Sequence, residues 1–206
     1  AFSWITVFVL CTSYNIILMG RTASWDIYCH AFMLMAIYYL FKALRADVCD
    51  WKSFLLAGLA MGLSFLGKGP VSFYALLFPF LCAYLICYRK SMAGKWKGCA
   101  GMILLMLVLS CWWYAYIYMY HPEMAEYVWN KESSSWANRN VRPWYYYWKF
   151  FLETGAWSLL TLFTLFVPVW KKRLGGKTKS YLFSLLWMLF VVFFLSLIPE
   201  KKTRYL

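Results

Sequence analysis

Ser53–Leu66 (SFLLAGLAMGLSFL) and Val71–Tyr88 (VSFYALLFPFLCAYLICY) contain no charged residue, and between them stands Gly67-Lys68-Gly69-Pro70. A cation between two apolar spans is expensive in a bilayer unless it faces a polar cavity, an anion or the headgroups. The glycines on either side of Lys68 allow a backbone or a ligand to approach closely. Pro70 suits the start of the next helix, where its missing N–H costs nothing. The stretch therefore reads as a turn between two membrane helices, with Lys68 either snorkelling to lipid or facing a bound anion.

Composition supports a polytopic membrane protein. Of the 206 residues 64% are hydrophobic, and the chain carries 13 Trp, 17 Tyr and 17 Phe. The net charge of +13 sits in short breaks between apolar runs, so lipid headgroups are better partners than nucleic acid. Seven cysteines, scattered mostly in apolar runs without a C-x-x-C, read as buried hydrophobes. The chain opens at Ala1 within an apolar run and reads as an internal piece of a longer protein.

Taken outward from the Lys68 turn, the apolar runs predict an all-α integral membrane bundle of about seven spans. These are Phe2–Met19, Ile27–Leu44, Ser53–Leu66, Val71–Tyr88, Gly98–Tyr118, Tyr146–Trp170 and Tyr181–Ile198. The whole of 1–206 reads as one helical domain with a single long connection, an outer loop over about 119–145. Gly58 and Gly62 form a G-x-x-x-G face suited to close helix packing. The acid-poor links that hold Lys42–Lys52, Arg89–Lys97 and Lys171–Lys179 mark the cytoplasmic side. The other face then collects Lys68, Arg21 and the tail cations Lys201, Lys202 and Arg204, along with most of the carboxylates, Asp26 among them. Charges of both signs at the outer ends of several spans suit a site for an anionic group.

Several motifs have plainer explanations that must be weighed. Gly62-x-x-x-x-Gly67-Lys68 imitates a phosphate-binding loop, but Gly69 stands where a magnesium-binding Ser or Thr is needed. Asp26 is either a helix-start carboxylate satisfying free N–H groups or a base facing the outer cavity. His30, one turn on, gives with Asp26 only two ligands of a divalent metal site, so a metal stays open and no cofactor is required. The aromatic runs Trp112–Tyr120 and Trp144–Trp148 read chiefly as interfacial belts, with a share able to line a sugar or lipid groove.

In order and spacing, Asp26, Gly-Leu-Ser-Phe-Leu-Gly-Lys-Gly-Pro at 62–70, Arg142-Pro143-Trp144-Tyr145-Tyr146-Tyr147 and Ser196-x-x-x-x-Lys201-x-x-x-Tyr205-Leu206 resemble bacterial members of glycosyltransferase family 39. That family holds the protein O-mannosyltransferases and the aminoarabinose transferase of lipid A, all of GT-C architecture. The resemblance implies a polyprenyl-phosphate sugar donor, used with a lipid or protein acceptor on the outer, periplasmic side of a bacterial plasma membrane. It implies Asp26 as an acidic residue of the sugar and acceptor site, and Lys68 and Lys201 beside the lipid phosphate; the outer-face cations Arg21 and Arg204 are further candidates for that phosphate. His30, Arg142, Trp144 and Tyr145 are the expected groove residues. The family's principal catalytic aspartate belongs to a first outer loop, upstream of Ala1. Where the aminoarabinose transferases carry a His and Arg pair, this chain has Asn130-Lys131-Glu132-Ser133-Ser134-Ser135, which argues against that branch's metal site and against lipid A. Two other classes remain: a transporter or flippase for an anionic lipid or lipid-linked sugar, which would use the same cations, and a membrane scaffold subunit, which would leave Asp26 and Lys68 replaceable.

Overall fold

The computed structural model describes residues 2–22, 24–88, 94–138, 142–149 and 155–197, and among them there is no strand. The helices are α1 (Phe2–Thr12), α2 (Tyr14–Arg21), α3 (Trp25–Arg45), α4 (Trp51–Lys68), α5 (Phe78–Tyr88), α6 (Trp96–Tyr120), α7 (Pro122–Asn138), α8 (Ser158–Thr164), α9 (Val167–Leu174) and α10 (Thr178–Leu197). A π-helical segment, Phe73–Leu77, leads into α5, and short 3₁₀ turns occupy Trp144–Lys149, Gly155–Trp157 and Gly175–Lys177. Among the described residues, three stretches are long and apolar enough to cross a membrane: Trp25–Arg45, Trp96–Tyr120 and Val167–Leu197. The all-α membrane fold expected from the sequence is the one the described residues adopt.

The centre is α4. Its small residues let α3 approach on one side and α6 on the other, and Ala57, Gly58, Ala60, Gly62 and Ser64 are all buried. A Cβ on Gly58 would stand 2.6 Å from the Met102 carbonyl oxygen, and one on Gly62 would stand 2.6 Å from Leu109 Cβ. The expected G-x-x-x-G face is thus the seam with α6, where backbone packs on backbone. Further along the same seam Phe65 meets Tyr114 edge-on. Rising numbers pair with rising numbers, so α4 and α6 run parallel, as a helix pair with one crossing between them must. Gly58→Ala is expected to lower the thermal midpoint of the detergent-solubilised protein, because α4 and α6 must part. Overpacking of this kind costs about 1–3 kcal/mol, and an unchanged midpoint would mean the seam is loose.

A second seam joins α5 to α10. Phe80 of α5 packs with Phe183 and Trp187 of α10, and Phe41 of α3 stacks on Phe183 and meets Phe80 and Tyr84 edge-on. The π segment has a local cause. Pro79 cannot donate a hydrogen bond to the carbonyl of Ala75, and its ring crowds that carbonyl. The chain widens instead, so that Phe78 N–H bonds back to the Phe73 carbonyl, a five-residue return that marks a π bulge. The indole of Trp187 donates to the Leu76 carbonyl at 3.2 Å, so an acceptor in the distorted turn is satisfied from the neighbouring helix.

Several boundaries differ from expectation. The first predicted span is divided at Ser13 into α1 and α2. The connection expected as a loop over about 119–145 is helical over Pro122–Asn138, with Pro122 opening the helix and Glu123 in its first turn. The sixth predicted span, Tyr146–Trp170, is a series of short pieces among the described residues, with Gly155 at φ 67° and Pro168 in the first turn of α9. The basic link that follows is itself helical through Leu174.

Lys95 reads in the sequence as one of several loop cations, yet only 4% of it is exposed. Its ammonium donates to the carbonyls of Leu44 at 2.7 Å and Ala46 at 2.6 Å, at the C-terminal end of α3. A cation on terminal carbonyls meets the negative end of the helix dipole and satisfies groups that have no partner within the helix. At the same end of the bundle Asp50 caps α4, accepting from the Ser53 hydroxyl at 2.6 Å and the Ser53 N–H at 3.2 Å. Those bonds hold the Asp50 carboxyl below its usual range.

Candidate functional site

At the opposite end, the N-terminus of α3 and the C-terminus of α4 lie side by side. Ser24 is the N-cap of α3, accepting the Asp26 N–H at 3.4 Å, while its hydroxyl donates to Asp26 Oδ2 at 2.6 Å. Capping therefore falls to Ser24, and the Asp26 carboxylate is turned inward, where 1% of the residue is exposed. Its other oxygen, Oδ1, is in ion-pair contact with the Lys68 ammonium. Lys68 keeps 24% of its side chain exposed. The pair is thus buried on the carboxylate side and open on the ammonium side.

The elements beneath hold this pair in place. Cys29, one turn below Asp26, faces Ser64, one turn below Lys68: the Ser64 hydroxyl donates to the Cys29 carbonyl at 2.8 Å, and the Cys29 thiol to the Ser64 carbonyl at 3.3 Å. The Ser64 and Ser72 hydroxyls are 2.7 Å apart, which ties in the chain after Pro70. All three residues are buried. Buried polar groups paired this fully fix the register of α3 on α4 and stiffen the ground under the ion pair. Gly69, at φ 67° and ψ −147°, turns the chain sharply after Lys68 in a backbone conformation that side-chain-bearing residues avoid.

Tyr147 anchors a further segment here. It is fully buried in a cluster with Val71, Ala75, Val192 and Leu195, so the 3₁₀ turn Trp144–Lys149 rests on the chain that leaves the Lys68 turn and on the last turns of α10. Beside Pro70, an apolar cleft of about 370 Å³ runs between α4, the π segment and α6, with Phe65, Phe73, Phe78 and Met106 among its walls.

Of the residues expected at the site, Asp26 and Lys68 are brought into direct contact. His30 lies one turn below Asp26, with Nε2 buried and no hydrogen-bond partner among the described residues. Arg21 is exposed at the end of α2, and Arg142, Trp144 and Tyr145 are exposed around the Tyr147 anchor. Lys201 and Arg204 lie outside the described residues. Among the described residues no three His, Cys, Asp or Glu side chains are grouped to hold a metal ion, so Asp26 and His30 acquire no third ligand there. Sequence reading missed Ser24, Cys29 and Ser72, and gave Ser64 and Tyr147 no role apart from the motifs that contain them. Only Ser24, a Ser two residues before an Asp at a helix start, carried a signal of its own.

Residues 2–114, which run from α1 into α6 and include Asp26 and Lys68, match the family model described as dolichyl-phosphate-mannose-protein mannosyltransferase, over half of the chain. The chain belongs to that family. A relative from Aquifex aeolicus (strain VF5), described as an uncharacterized protein, is 27% identical over 202 residues. The match takes in 96% of this chain and 38% of the relative, so the chain spans well under half the length of the protein it resembles. No solved structure matches the chain. As a member of the mannosyltransferase family it is of GT-C type, and the apolar helices agree with a membrane location.

Proposed function

We propose that this chain is part of a membrane glycosyltransferase that moves a sugar from a polyprenyl-phosphate donor to an acceptor hydroxyl on the outer face of a bacterial plasma membrane. The observation that carries the reading is the half-open Asp26–Lys68 pair at the end of α3 and α4. In the resting protein the ammonium is neutralised by Asp26. An arriving phosphate competes for it from the exposed side, and a charge-assisted bond from a lysine to phosphate is strong in a partly dry site. Drawing Lys68 toward the phosphate loosens its hold on Asp26 and frees that carboxylate for the acceptor hydroxyl. The acceptor hydroxyl attacks the anomeric carbon, its proton passes to a carboxylate, and polyprenyl phosphate leaves with the electron pair of the broken carbon–oxygen bond. In this scheme Asp26 is a carboxylate of the sugar and acceptor site. The cleft beside Pro70, walled by aromatic and aliphatic side chains, supports an isoprenoid chain whose phosphate reaches Lys68. The exposed Arg142, Trp144 and Tyr145 suit a sugar or acceptor groove, and Arg21, Lys201 and Arg204 are further candidates for the phosphate.

The full-length protein in liposomes, given a radiolabelled polyprenyl-phosphate sugar, is expected to transfer label from the donor to an acceptor. Label that crosses the bilayer still attached to its lipid would favour a flippase, and label that does neither would favour a scaffold. Sidedness is checked separately on a cysteine-free background. His121→Cys, at the end of α6 on the Lys68 side, and Gly176→Cys, before α10, are expected to react with an impermeant thiol reagent from opposite faces, the first from outside. Reaction of both from one face would remove the outer-face site.

A further inference from the structure

His30 follows Asp26 by four residues on α3. Side chains on a helix lean toward its N-terminus, so a residue at i+4 leans over the turn that carries residue i. The imidazole therefore sits beneath the Asp26–Lys68 pair, and both charges of the pair act on it. Its Nε2 is buried and has no hydrogen-bond partner among the described residues, although the residue as a whole is half-buried. The polar groups packed nearby, Cys29, Ser64 and Ser72, are paired with one another. An unmet buried nitrogen lowers stability, and a position that needed only bulk would be better filled by an apolar side chain.

Sugar transfer gives such a nitrogen something to do. The acceptor hydroxyl must lose a proton, and Asp26, with 1% of the residue exposed, has almost no surface through which to pass one to water. Ser24 donates to one carboxylate oxygen and Lys68 pairs with the other. Neither is an outlet, because a serine hydroxyl does not titrate near neutrality and the ammonium is already protonated. Until the proton leaves, Lys68 cannot recover its partner for the next turnover. Imidazole is the side chain that both takes and gives a proton near neutral pH.

We infer that His30 is the proton relay of the Asp26 site, receiving at Nε2 the proton that Asp26 takes from the acceptor; this rests on the glycosyl-transfer reading above. As the acceptor oxygen bonds to the anomeric carbon, its O–H bond breaks and the proton moves to Asp26. The electron pair of the old carbon–oxygen bond goes to the phosphate, which leaves as a monoester. Asp26 passes the proton to the imidazole, regains its charge and re-forms its ion pair with Lys68 as the phosphate departs. The imidazolium then gives the proton to water and returns to neutral. Among the described residues, the charges acting on His30 are Asp26 of its own helix and Lys68 of α4, and the neighbouring Cys29 thiol is turned to the Ser64 carbonyl. Carboxylates and ammonium groups ordinarily titrate well away from neutrality, so a step in rate near neutral pH belongs to the imidazole.

The test is turnover of the full-length protein in liposomes at saturating radiolabelled polyprenyl-phosphate sugar, followed over about pH 5 to 8. Wild-type turnover is expected to rise with pH through the histidine range and then level off. His30→Gln, which keeps a polar group of similar reach but no proton site, is expected to lose about a hundredfold in turnover and to lose the pH step, with KM for the donor and the thermal midpoint kept. Imidazole in the buffer is expected to restore part of the turnover of His30→Ala, which a histidine of purely structural role would not show. Wild-type transfer without a pH step, undiminished turnover in His30→Gln, or a folded His30→Ala that imidazole does not rescue would each overturn the relay and leave the glycosyl-transfer reading standing. A wild type that transfers no label at any pH would overturn that reading and the relay with it. Should both variants fail to fold, the wild-type pH profile decides alone.

Discussion

Lys68→Met in the full-length protein is expected to lose stability and sugar transfer together, and adding Asp26→Asn is expected to restore only the stability. The first loss follows from burial. Asp26 is 1% exposed and in ion-pair contact with the Lys68 ammonium, and removing one partner of a buried pair costs about 3–5 kcal/mol because a charge is left uncompensated. Asparagine keeps the shape of Asp26 and can still hydrogen-bond Ser24, so the double variant should regain most of that loss. Transfer behaves differently. A phosphate deprived of one charge-assisted bond is held less tightly by about 1.5–3 kcal/mol, roughly ten- to a hundredfold, and neutralising Asp26 cannot replace a cation. The measurements are the thermal midpoint and the rate at limiting polyprenyl-phosphate donor for the wild type, the two single variants and the pair. If the double variant recovered transfer along with stability, the pair would be a structural lock and the phosphate would lie elsewhere.

The sequence marks Lys68 as anomalous because no other charge lies between Ser53 and Tyr88. It also marks Asp26 at a helix start. Nothing local joins them, since 42 residues separate the two and the contact depends on how α3 packs on α4. Read alone, Lys68 is a free cation awaiting an anion; paired, it is a cation that an anion must capture. The seam between α4 and α6 was better marked, because glycines four apart have few uses in an apolar helix other than close approach. Pro79 is the local signal for the π segment, since a proline inside an apolar helix removes one return hydrogen bond. Pro122 and Glu123 likewise mark the start of α7 within the polar connection between the fifth and sixth apolar runs. Lys95 shows the opposite limit: its neighbours Lys97 and Trp96 are exposed, and only the position of the α3 carbonyls makes it a buried clamp.

The aromatic run Trp144-Tyr145-Tyr146-Tyr147-Trp148 has no periodicity from which an inner face could be read, so its members looked alike as belt residues. The structure separates them, and the separation can be tested. Tyr147 is fully buried against Val71, Ala75, Val192 and Leu195, whereas Trp144 is 68% exposed. Tyr147→Ala is expected to destabilise the protein by about 3–5 kcal/mol, the usual effect of emptying a large aromatic site. Because the ring bridges the chain after Pro70, the 144–149 turn and the end of α10, its loss also frees the turn that carries Trp144 and Tyr145, residues of the proposed groove. Transfer should therefore fall further than the remaining folded fraction accounts for, since ångström-scale displacement of positioning groups can cost about a hundredfold. Trp144→Ala is expected to leave the thermal midpoint within about 0.5 kcal/mol of wild type; with Trp144 in the proposed groove, its effect should appear in transfer alone. Comparing thermal midpoints and transfer at saturating donor for the two variants separates anchoring from contact. If Tyr147→Ala melted like the wild type, the 144–149 turn would not be held by this cluster. If Trp144→Ala also transferred at the wild-type rate, the aromatic run would serve the membrane interface rather than the substrate.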